Sequence, residues 1–351
     1  EDSVADDPNL YGYCGGNPVN FIDPTGHFKL NVKMDWLGGS LGFLSSKIDG
    51  LGEALSGFSF LTNTGKFFGN LGERFKNLFK SNGFKTNDQL SAEIKIQEAA
   101  KGVTGKKEVV EAQTYLTVMG FPIGSSGPNN NGVDGQAGSK TEAAVKSFQK
   151  MNGMEPTGII DPETLNKMKS VAESGNDIRG LALTAHKKGV QFEIDPKKST
   201  QAEFVNAVYY YAIIDETKTE VPAAVTTAQA MLETGFGRHV PTDVNTGQYS
   251  YNLFGIKGTG PAGSVKSWTM EEDKLTGEWK PELANFEAYQ NFGESITGHS
   301  KFFYDNIGRY GSAFKTNNPA DFARAIHKAG YATDSRYSEK LINYMNLWGL
   351  K

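Results

Sequence analysis

Apolar residues between positions 221 and 232 recur at three- and four-residue steps, which is the spacing of one face of an α-helix. They are Val221, Ala224, Val225, Ala228, Met231 and Leu232. Pro222 suits the first turn of this helix, and Gly235 and Gly237 are typical of its end. The pattern therefore predicts that Glu233 lies in the last turn, just before a glycine-rich exit.

The predicted position of Glu233 bears on its chemistry. A carboxylate near a helix C-terminus meets the negative end of the helix dipole, which favours the protonated form. Neighbouring aromatic rings that exclude water would raise the pKa further. A carboxyl group that keeps its proton near neutral pH can act as a general acid, as glycoside cleavage requires. The alternative interpretation is a solvated glutamate at a helix end.

The stretch from about 91 to 172 predicts a small module of three helices. Helical spacing recurs in Val109, Val110, Gln113, Leu116 and Val118, and again in Thr141, Ala144, Val145, Phe148 and Met151. A polar loop rich in glycine and asparagine separates these two runs. Asp161 and Pro162 then have the N-cap and first-turn chemistry that opens a third helix.

Two other stretches have weaker patterns. Residues 28–90 place leucines at helical spacing but interrupt them with glycines, each of which costs a helix about 1 kcal/mol. A connector that packs on a neighbour is the favoured interpretation, and a membrane-active segment is the alternative. Residues 173–200 are polar and are interpreted as a linker. The candidate catalytic domain then occupies residues 201–351.

Composition narrows the classes of function. With 351 residues and a formal net charge of −4, the chain is expected to hold two or three domains and to bind no nucleic acid. One cysteine excludes an internal disulfide framework, and the five histidines lack the spacing of a zinc site. No metal and no cofactor is therefore expected. The sequence predicts no transmembrane helix and no secretory signal, and its acidic start predicts a fragment of a longer protein.

Residues 1–27 are dense in turn residues, with short apolar pairs between them. The run NLYGYCGGNPVNFIDPTG, from Asn9 to Gly26, closely resembles the motif that closes the Rhs/YD-repeat core. In that family the motif ends a β-cage, and a variable C-terminal toxin follows it. The resemblance implies that this chain is the toxin tip of a larger polymorphic effector. It also implies a secretion apparatus, for example of type VI, and a cognate immunity protein.

The module at 91–172 resembles the peptidoglycan-binding-domain-like family of three-helix modules. The shared positions are Gln113, Leu116, Gly120, Phe121, the run from Asp134 to Gly138, Thr141, Ala144, Val145, Phe148, Gln149, Gly153, Thr157, Gly158, Asp161, Thr164 and Leu165. The loop before Asp134 is longer than the family's. Most shared residues suit a core or a turn, so the resemblance implies the fold first. Glycan binding by the loops around Asp134 and Thr157 is a hypothesis.

Six motifs from residue 228 onward resemble, in the same order, the glucosaminidase family that includes flagellar-rod and autolysin peptidoglycan hydrolases. They are AQAMLETGFG at 228–237, YNLFGIKG at 251–258, FEAY at 286–289, ESITGH at 294–299, RY at 309–310 and AGYATDSRY at 329–337. The resemblance implies a lysozyme-like α+β catalytic domain with a small β flap. Together with the preceding three-helix module, this domain gives a fold that is expected to be mainly α.

This resemblance also implies roles for single residues. Glu233 matches the general acid, and Tyr331 matches the active-site tyrosine of the AGYAT motif. Asn252 and Phe254 match the motif that lines the sugar groove. Further candidates for sugar contacts are Tyr251, Trp268 and Tyr310. For the aromatic candidates, packing in the core is the alternative role.

A second carboxylate is expected on the flap, before a glycine and upstream of FEAY. Counting back from Gly277 reaches Asp273, or Glu272 if one residue is inserted, and Glu271 is also near. Glu272 ranks first because the family's usual residue is glutamate, and a solvated acidic turn is the alternative. Inversion of configuration or assistance by the substrate's acetamido group is favoured, since a carboxylate on a flap can move.

Together these features predict an antibacterial effector that hydrolyses peptidoglycan as an endo-β-N-acetylglucosaminidase in the periplasm or cell wall of a target bacterium. Three alternatives remain open. The first is a muramidase or lytic transglycosylase on a similar scaffold. The second is a wall-binding protein whose hydrolase domain is inactive. The third is a membrane-disrupting toxin that acts through residues 28–90.

Overall fold

The structure, a computed structural model, describes residues 87–195, 198–272 and 279–351. The Rhs-like segment at 1–27, nearly all of the connector at 28–90, and Asp273 lie outside the described residues. Within them, the fold is mainly α-helical with a two-stranded antiparallel sheet, so the predicted fold class is confirmed. No helix in the part of the chain that the structure describes is long and apolar enough to cross a membrane.

The first half of the described chain consists of helices joined by turns. These are α1 (Asn87–Ala99), α2 (Lys107–Met119), α3 (Ser139–Met151), α4 (Pro162–Glu173) and α5 (Ile178–Lys187). Helices α2, α3 and α4 are the three that the sequence predicts. Asp161 caps α4 by accepting a hydrogen bond of 2.7 Å from the Thr164 amide, and Pro162 takes the first helical position, as predicted.

Helix α5 falls inside the stretch predicted as a linker. Its buried side chains are Ile178, Ala182 and Ala185, and the half-buried Leu181 packs against the same core. These four residues have the three- and four-residue spacing of a helix face, so the signal was present in the sequence, within a helix of only 10 residues. Asp177 caps the helix by accepting a hydrogen bond from the Gly180 amide.

The second half holds the candidate catalytic domain. Its elements are α6 (Gln201–Thr219), α7 (Ala223–Thr234), β1 (Ser264–Glu272), β2 (Trp279–Glu287), α8 (Phe292–Asp305), α9 (Ile307–Tyr310), a 3-10 turn (Ala313–Lys315), α10 (Pro319–Lys328) and α11 (Tyr337–Trp348). Helix α6 is buried around most of its circumference, because it packs against α3, α5, α7 and α8. It is therefore the central helix of this part of the molecule.

Two buried glutamines fasten the turns of the three-helix module. The Gln113 side-chain oxygen accepts a hydrogen bond of 2.8 Å from the Gly135 amide, and its nitrogen donates to Thr141 at 3.1 Å. Gln149 repeats the arrangement one helix later: its oxygen accepts from the Gly158 amide at 2.9 Å, and its nitrogen donates to a threonine in the first turn of α4. The two loops proposed for glycan binding are thus held by internal hydrogen bonds.

The module packs directly onto the catalytic helices. The Lys140 ammonium lies 4.2 Å from the ring centroid of Trp348 and donates a hydrogen bond of 2.9 Å to the Leu347 carbonyl. The Lys146 ammonium lies 3.0 Å from a carboxylate oxygen of Glu203, at the start of α6. Helix α3 packs along α6. These contacts make the module part of the same folded unit as the catalytic helices rather than a tethered domain.

Candidate active site

Glu233 lies in the last turn of α7, as the sequence predicts. The chain leaves this helix through three successive left-handed residues: Gly235 at φ 56°, Phe236 at φ 63° and Gly237 at φ 81°. A phenylalanine with positive φ is strained, whereas glycine is not. The ring of Phe236 packs against that of Trp348 at a centroid distance of 5.7 Å, and this contact holds the strained turn in place.

Glu233 is exposed to solvent as a residue, yet desolvation by the surrounding protein atoms raises the pKa of its carboxyl group above the ordinary value. The hydroxyl of Tyr337 donates a long hydrogen bond of 3.5 Å to it, which acts in the opposite direction and lowers the pKa. A group of this kind can hold a proton and still meet a substrate.

Two tyrosines form the wall beside Glu233. The rings of Tyr331, in the loop after α10, and Tyr337, at the start of α11, stack at a centroid distance of 5.6 Å and 29° between planes. Burial is the main cause that raises the pKa of both hydroxyls, and the nearby charge of Glu233 raises both further. The two phenols therefore remain neutral at any physiological pH and act as hydrogen-bonding groups, not as bases.

Each tyrosine hydroxyl has a buried polar partner. The Gln229 side-chain nitrogen donates a hydrogen bond of 2.9 Å to the Tyr337 hydroxyl. The Tyr331 hydroxyl lies 3.3 Å from Nε2 of His299. Burial lowers the pKa of His299 to about 3, so this imidazole is neutral near pH 7. Two buried atoms of this group have no hydrogen-bond partner in the protein, Oε1 of Gln229 and Nδ1 of His299.

Asn252 organises the loop that follows α7 but does not face solvent. Its side chain is fully buried. The amide nitrogen donates to the carbonyls of Ile256, at 2.8 Å, and Glu287, at 3.0 Å, and the oxygen accepts from the Ile256 amide at 3.1 Å. Asn252 therefore fastens the loop to the end of β2. A direct contact with sugar, which the sequence resemblance suggested, is not available to this side chain.

The aromatic candidates for sugar contacts divide by their exposure. Tyr310 is buried against Phe303 and belongs to the core. Phe254 is also buried, and its ring stacks on that of His299 at 3.9 Å and 15°. Tyr251 is half-buried at a positive φ of 56°. The core role, which was the alternative interpretation, fits Tyr310 and Phe254 best.

The flap is the hairpin of β1 and β2. Glu272 pairs with Trp279 at the last described position of the ladder, and Glu271 pairs with Lys280. Trp268 is 64% exposed and pairs directly with Leu283, which is 41% exposed. Trp268 is thus the one candidate aromatic residue with a largely open ring. Among the described residues, no group of three or more His, Cys, Asp or Glu is arranged to hold a metal ion.

Sequence reasoning did not single out Gln229, His299 and Tyr337 as site residues. Each lies inside a motif that was recognised: AQAMLETGFG, ESITGH and AGYATDSRY. The available signal for Gln229 was its spacing, because a residue four positions before Glu233 shares its helix face. For His299 and Tyr337 the contacts are made between distant parts of the chain, so spacing alone gave no signal.

Comparison with known families assigns the two domains. Residues 210–350 match the family described as mannosyl-glycoprotein endo-β-N-acetylglucosaminidase, and residues 105–168 match the putative peptidoglycan binding domain. The chain therefore carries a glucosaminidase-family domain preceded by a domain of the peptidoglycan-binding family. The Rhs context is not among these matches.

Several curated proteins are similar to the chain. The peptidoglycan hydrolase FlgJ of Vibrio parahaemolyticus is 32% identical over 219 residues, which cover 59% of this chain and 63% of the relative. FlgJ of Pseudomonas aeruginosa is 37% identical over 34% of this chain and 30% of the relative. The exo-glucosaminidase LytG of Bacillus subtilis is 32% identical over 40% of this chain and 49% of the relative. The chain spans less than two thirds of the length of each.

Solved structures are similar to part of the chain. A C-terminally truncated glycoside hydrolase domain of Salmonella typhimurium FlgJ is 30% identical and covers 42% of this chain and 95% of that chain, with a TM-score of 0.36. A mutant peptidoglycan hydrolase from Sphingomonas sp. A1 is 33% identical and covers 42% of this chain and 93% of that chain, also with a TM-score of 0.36.

Proposed function

Starting from the glucosaminidase-family domain at 210–350, we propose that this protein hydrolyses the glycan strands of peptidoglycan as an endo-β-N-acetylglucosaminidase. The observation that carries the proposal is the environment of Glu233. Its carboxyl group has a raised pKa, lies at a helix end and is reachable from solvent. A carboxyl group whose pKa is raised by desolvation, beside two neutral tyrosines, is suited to give a proton to a glycosidic oxygen.

In the proposed reaction, Glu233 protonates the oxygen of the bond that follows N-acetylglucosamine. The bond from the sugar carbon to this oxygen breaks, and positive charge develops on the ring as the leaving sugar departs. A water molecule activated by a second carboxylate then attacks the carbon directly. Alternatively, that carboxylate or the substrate's acetamido oxygen attacks it first, and a water molecule that gives its proton to the Glu233 carboxylate then releases the sugar. Tyr331, which is half-buried beside Glu233, is proposed to contact the reacting sugar with the part of its side chain that faces solvent.

The second carboxylate is proposed to come from the flap. Glu271 and Glu272 are the last two residues of β1, and their backbones pair with Lys280 and Trp279 of β2. Both therefore lie at the tip of the described hairpin, and Asp273 lies outside the described residues. Glu272 stays the first candidate, because the family's usual residue is glutamate, and Glu271 and Asp273 are the alternatives.

The module at 105–168 is proposed to hold the polymer close to the catalytic domain. Because the module is packed on α6 and α11, it presents the glycan in a fixed orientation. This adds to the gain in effective concentration that any second binding site provides. The rigid attachment favours long strands or intact wall over short soluble fragments as substrates.

The biological setting that we propose follows from the Rhs-like segment at the start of the chain. The protein would be the C-terminal toxin of a secreted effector that degrades the wall of a target bacterium in its periplasm. An immunity protein that blocks the Glu233 site would protect the producing cell. The support for this setting is the run from Asn9 to Gly26, which lies outside the described residues.

Mass spectrometry of fragments released from purified peptidoglycan tests the activity. We expect fragments with reducing N-acetylglucosamine ends from the native protein and a loss of at least about 1,000-fold with Glu233→Gln. Reducing N-acetylmuramic acid or anhydro ends would instead assign a muramidase or a lytic transglycosylase. Glu173→Gln is the matched control, because Glu173 is an exposed glutamate in the last turn of another helix, α4.

Expression in the periplasm of a susceptible bacterium tests the toxin role. The native chain is expected to cause lysis, and the Glu233→Gln variant is expected to be harmless. Killing that persists in Glu233→Gln and disappears when residues 28–90 are deleted would contradict the proposal and assign the toxicity to a membrane-active segment. Absence of killing together with hydrolysis in vitro would remove the toxin role and keep the enzyme.

A further inference from the structure

Gln229 lies one helical turn before Glu233 on α7 and is fully buried. Its side-chain nitrogen donates a hydrogen bond of 2.9 Å to the Tyr337 hydroxyl, which comes from the far end of the chain. The other atom of the amide, Oε1, has no hydrogen-bond partner in the protein. Burying an amide that is only half-satisfied costs stability, so a purely structural role explains this residue poorly.

The contact fixes the direction of the next hydrogen bond. An amide nitrogen can only donate, so the Tyr337 oxygen accepts from Gln229. The hydroxyl then has its single hydrogen left for another neighbour, and Oε1 of Glu233 lies 3.5 Å away. Hydrogen bonds to catalytic groups are often long before substrate binds and shorten in the complex. The donors therefore run in one direction, from Gln229 through Tyr337 to Glu233.

We propose that Gln229 and Tyr337 form a positioning pair, in which the Gln229 amide aims the Tyr337 hydroxyl hydrogen at the carboxyl group of the general acid. The inference rests on the proposed role of Glu233. The pair holds the carboxyl in one orientation before the reaction. It also stabilises the carboxylate that is left when the proton has been given to the leaving group.

The surroundings of Glu233 contain few other groups that could set its charge. Tyr331 comes from the loop after α10 and stacks on Tyr337, and its own hydroxyl interacts with the neutral His299 of α8 and with the Gln229 side chain. His239, just past the left-handed turn, packs against Gly235. No ionised side chain of the described residues contributes to the raised pKa of Glu233, which follows from desolvation opposed by Tyr337.

The opposing effects make the pair testable. Tyr337 donates to the ionised form of Glu233, so removing its hydroxyl should raise the pKa of Glu233 further. A general acid with a higher pKa stays protonated to higher pH. The alkaline limb of the pH–rate profile should therefore move to higher pH in Tyr337→Phe, while kcat falls because the carboxylate product loses a donor.

The experiment uses the full chain with purified peptidoglycan and compares the native protein, Tyr337→Phe and Gln229→Met. Methionine keeps the length of glutamine and removes both polar atoms. In Tyr337→Phe we expect the alkaline limb of the pH–rate profile to move to higher pH by about half a pH unit or more. In Gln229→Met the shift should have the same sign and be smaller, because the hydroxyl remains but loses its fixed direction. Tyr344→Phe is the matched control, since Tyr344 lies on the same helix and packs on Phe236.

A direct titration separates this inference from the proposed function. Carbon-13 NMR of labelled glutamate carboxyl groups, with the Glu233 signal assigned by Glu233→Gln, measures the pKa without any substrate. A higher midpoint in Tyr337→Phe with no change in Tyr344→Phe supports the pair, even if the protein cleaves no peptidoglycan. An unchanged midpoint in a folded Tyr337→Phe overturns it, even if the native protein is an active hydrolase. A Gln229→Met midpoint equal to that of the native protein removes Gln229 from the pair.

Discussion

Buried glutamines have different surroundings in the peptidoglycan-binding module and in the group of Gln229, His299, Tyr331 and Tyr337 next to Glu233, which we call the active-site floor. In the module, the amide oxygen and the amide nitrogen of both Gln113 and Gln149 form hydrogen bonds with the turns and helix starts around them. In the active-site floor, Gln229 donates to Tyr337 but leaves its oxygen without a protein partner, and Nδ1 of His299 is also unpaired. Among the described residues, every buried polar side-chain atom without a partner lies between 206 and 348.

The difference separates stability from function. A buried amide that is fully bonded rigidifies its surroundings, and its removal leaves several backbone groups unpaired. A half-bonded amide costs stability and is kept where another molecule or a reaction step uses its surroundings. Substitution of a buried glutamine in the module is therefore expected to lower the free energy of unfolding and to leave the activity of the folded protein nearly unchanged. Substitution of Gln229 in the active-site floor is expected to lower activity and to change the free energy of unfolding little.

The largest effect should appear in acid, in the floor. Burial lowers the pKa of His299 to about 3, whereas a histidine in the unfolded chain titrates near 6.5. Below about pH 6.5, His299 binds a proton in the unfolded state but stays neutral in the folded state until the pH approaches 3. The free energy of unfolding should therefore fall as the pH drops from about 6.5 to about 3, by up to about 1.4 kcal/mol per unit.

Urea unfolding at pH 7, 5 and 4 measures this slope. Other groups also destabilise the protein in acid, among them Asp243, whose pKa is lowered to about 2 mainly by the Lys266 amide. The relevant quantity is therefore the difference between the native protein and His299→Phe, in which the stack on Phe254 is kept. Equal slopes in the two proteins would contradict a buried neutral imidazole.

The next effect belongs to the module. Gln113→Leu should lower the free energy of unfolding by about 3 kcal/mol, because it leaves the amides of the Asp134 turn and the side chain of Thr141 without partners. The kcat of the remaining folded protein should change by less than about twofold. Gln136→Leu, an exposed position in the same turn, is the control.

Gln229→Met is the corresponding substitution in the active-site floor and is compared with Gln113→Leu in the module. It is expected to change the free energy of unfolding by less than about 1 kcal/mol, because the half-satisfied amide gives little net stability. Its effect on activity should exceed that of Gln113→Leu. If Gln113→Leu instead proved neutral in stability and harmful in activity, the distinction between the two regions would be wrong.

Asn252→Ala should have a smaller effect on stability than Gln113→Leu, of about 2 kcal/mol, together with a loss of activity. Both follow because Asn252 fastens the loop at 252–256 to the end of β2, next to the flap. A thermal melt and a rate measured on the same sample test this. A variant with native stability and only weaker substrate binding would instead support a direct sugar contact.

The sequence predicted the parts of this molecule that depend on local order. The helix that carries Glu233 and its left-handed glycine exit follow from spacing and cap chemistry, and so does the Asp161 cap of α4. The small β flap was also expected, and it corresponds to the antiparallel ladder of β1 and β2. In each case the residues that decide the structure are near neighbours in the chain.

What the sequence missed depends on contacts between distant residues. Helix α5 is an exception, because the helical spacing of Ile178, Leu181, Ala182 and Ala185 was visible in the sequence, and the polar residues around them led to the interpretation as a linker. Tyr337 and Gln229 are 108 positions apart in the chain, and their hydrogen bond is the observation that links Gln229 to the active site. Motifs also could not separate sugar contacts from support: Asn252 and Phe254 were recognised correctly as parts of a motif, but burial decides that both lie beneath the surface.

Trp268→Ala should have the smallest effect and the most specific one. Trp268 is 64% exposed on the outer face of the flap, so the thermal midpoint should stay unchanged. If a sugar ring covers roughly 50 Å² of this indole, its removal should raise KM for the glycan by up to about tenfold and leave kcat unchanged. Lys266→Ala, on the same face but nearer the base of the flap, is the control. A fall in kcat without a change in KM would instead mean that Trp268 acts on the movement of the flap.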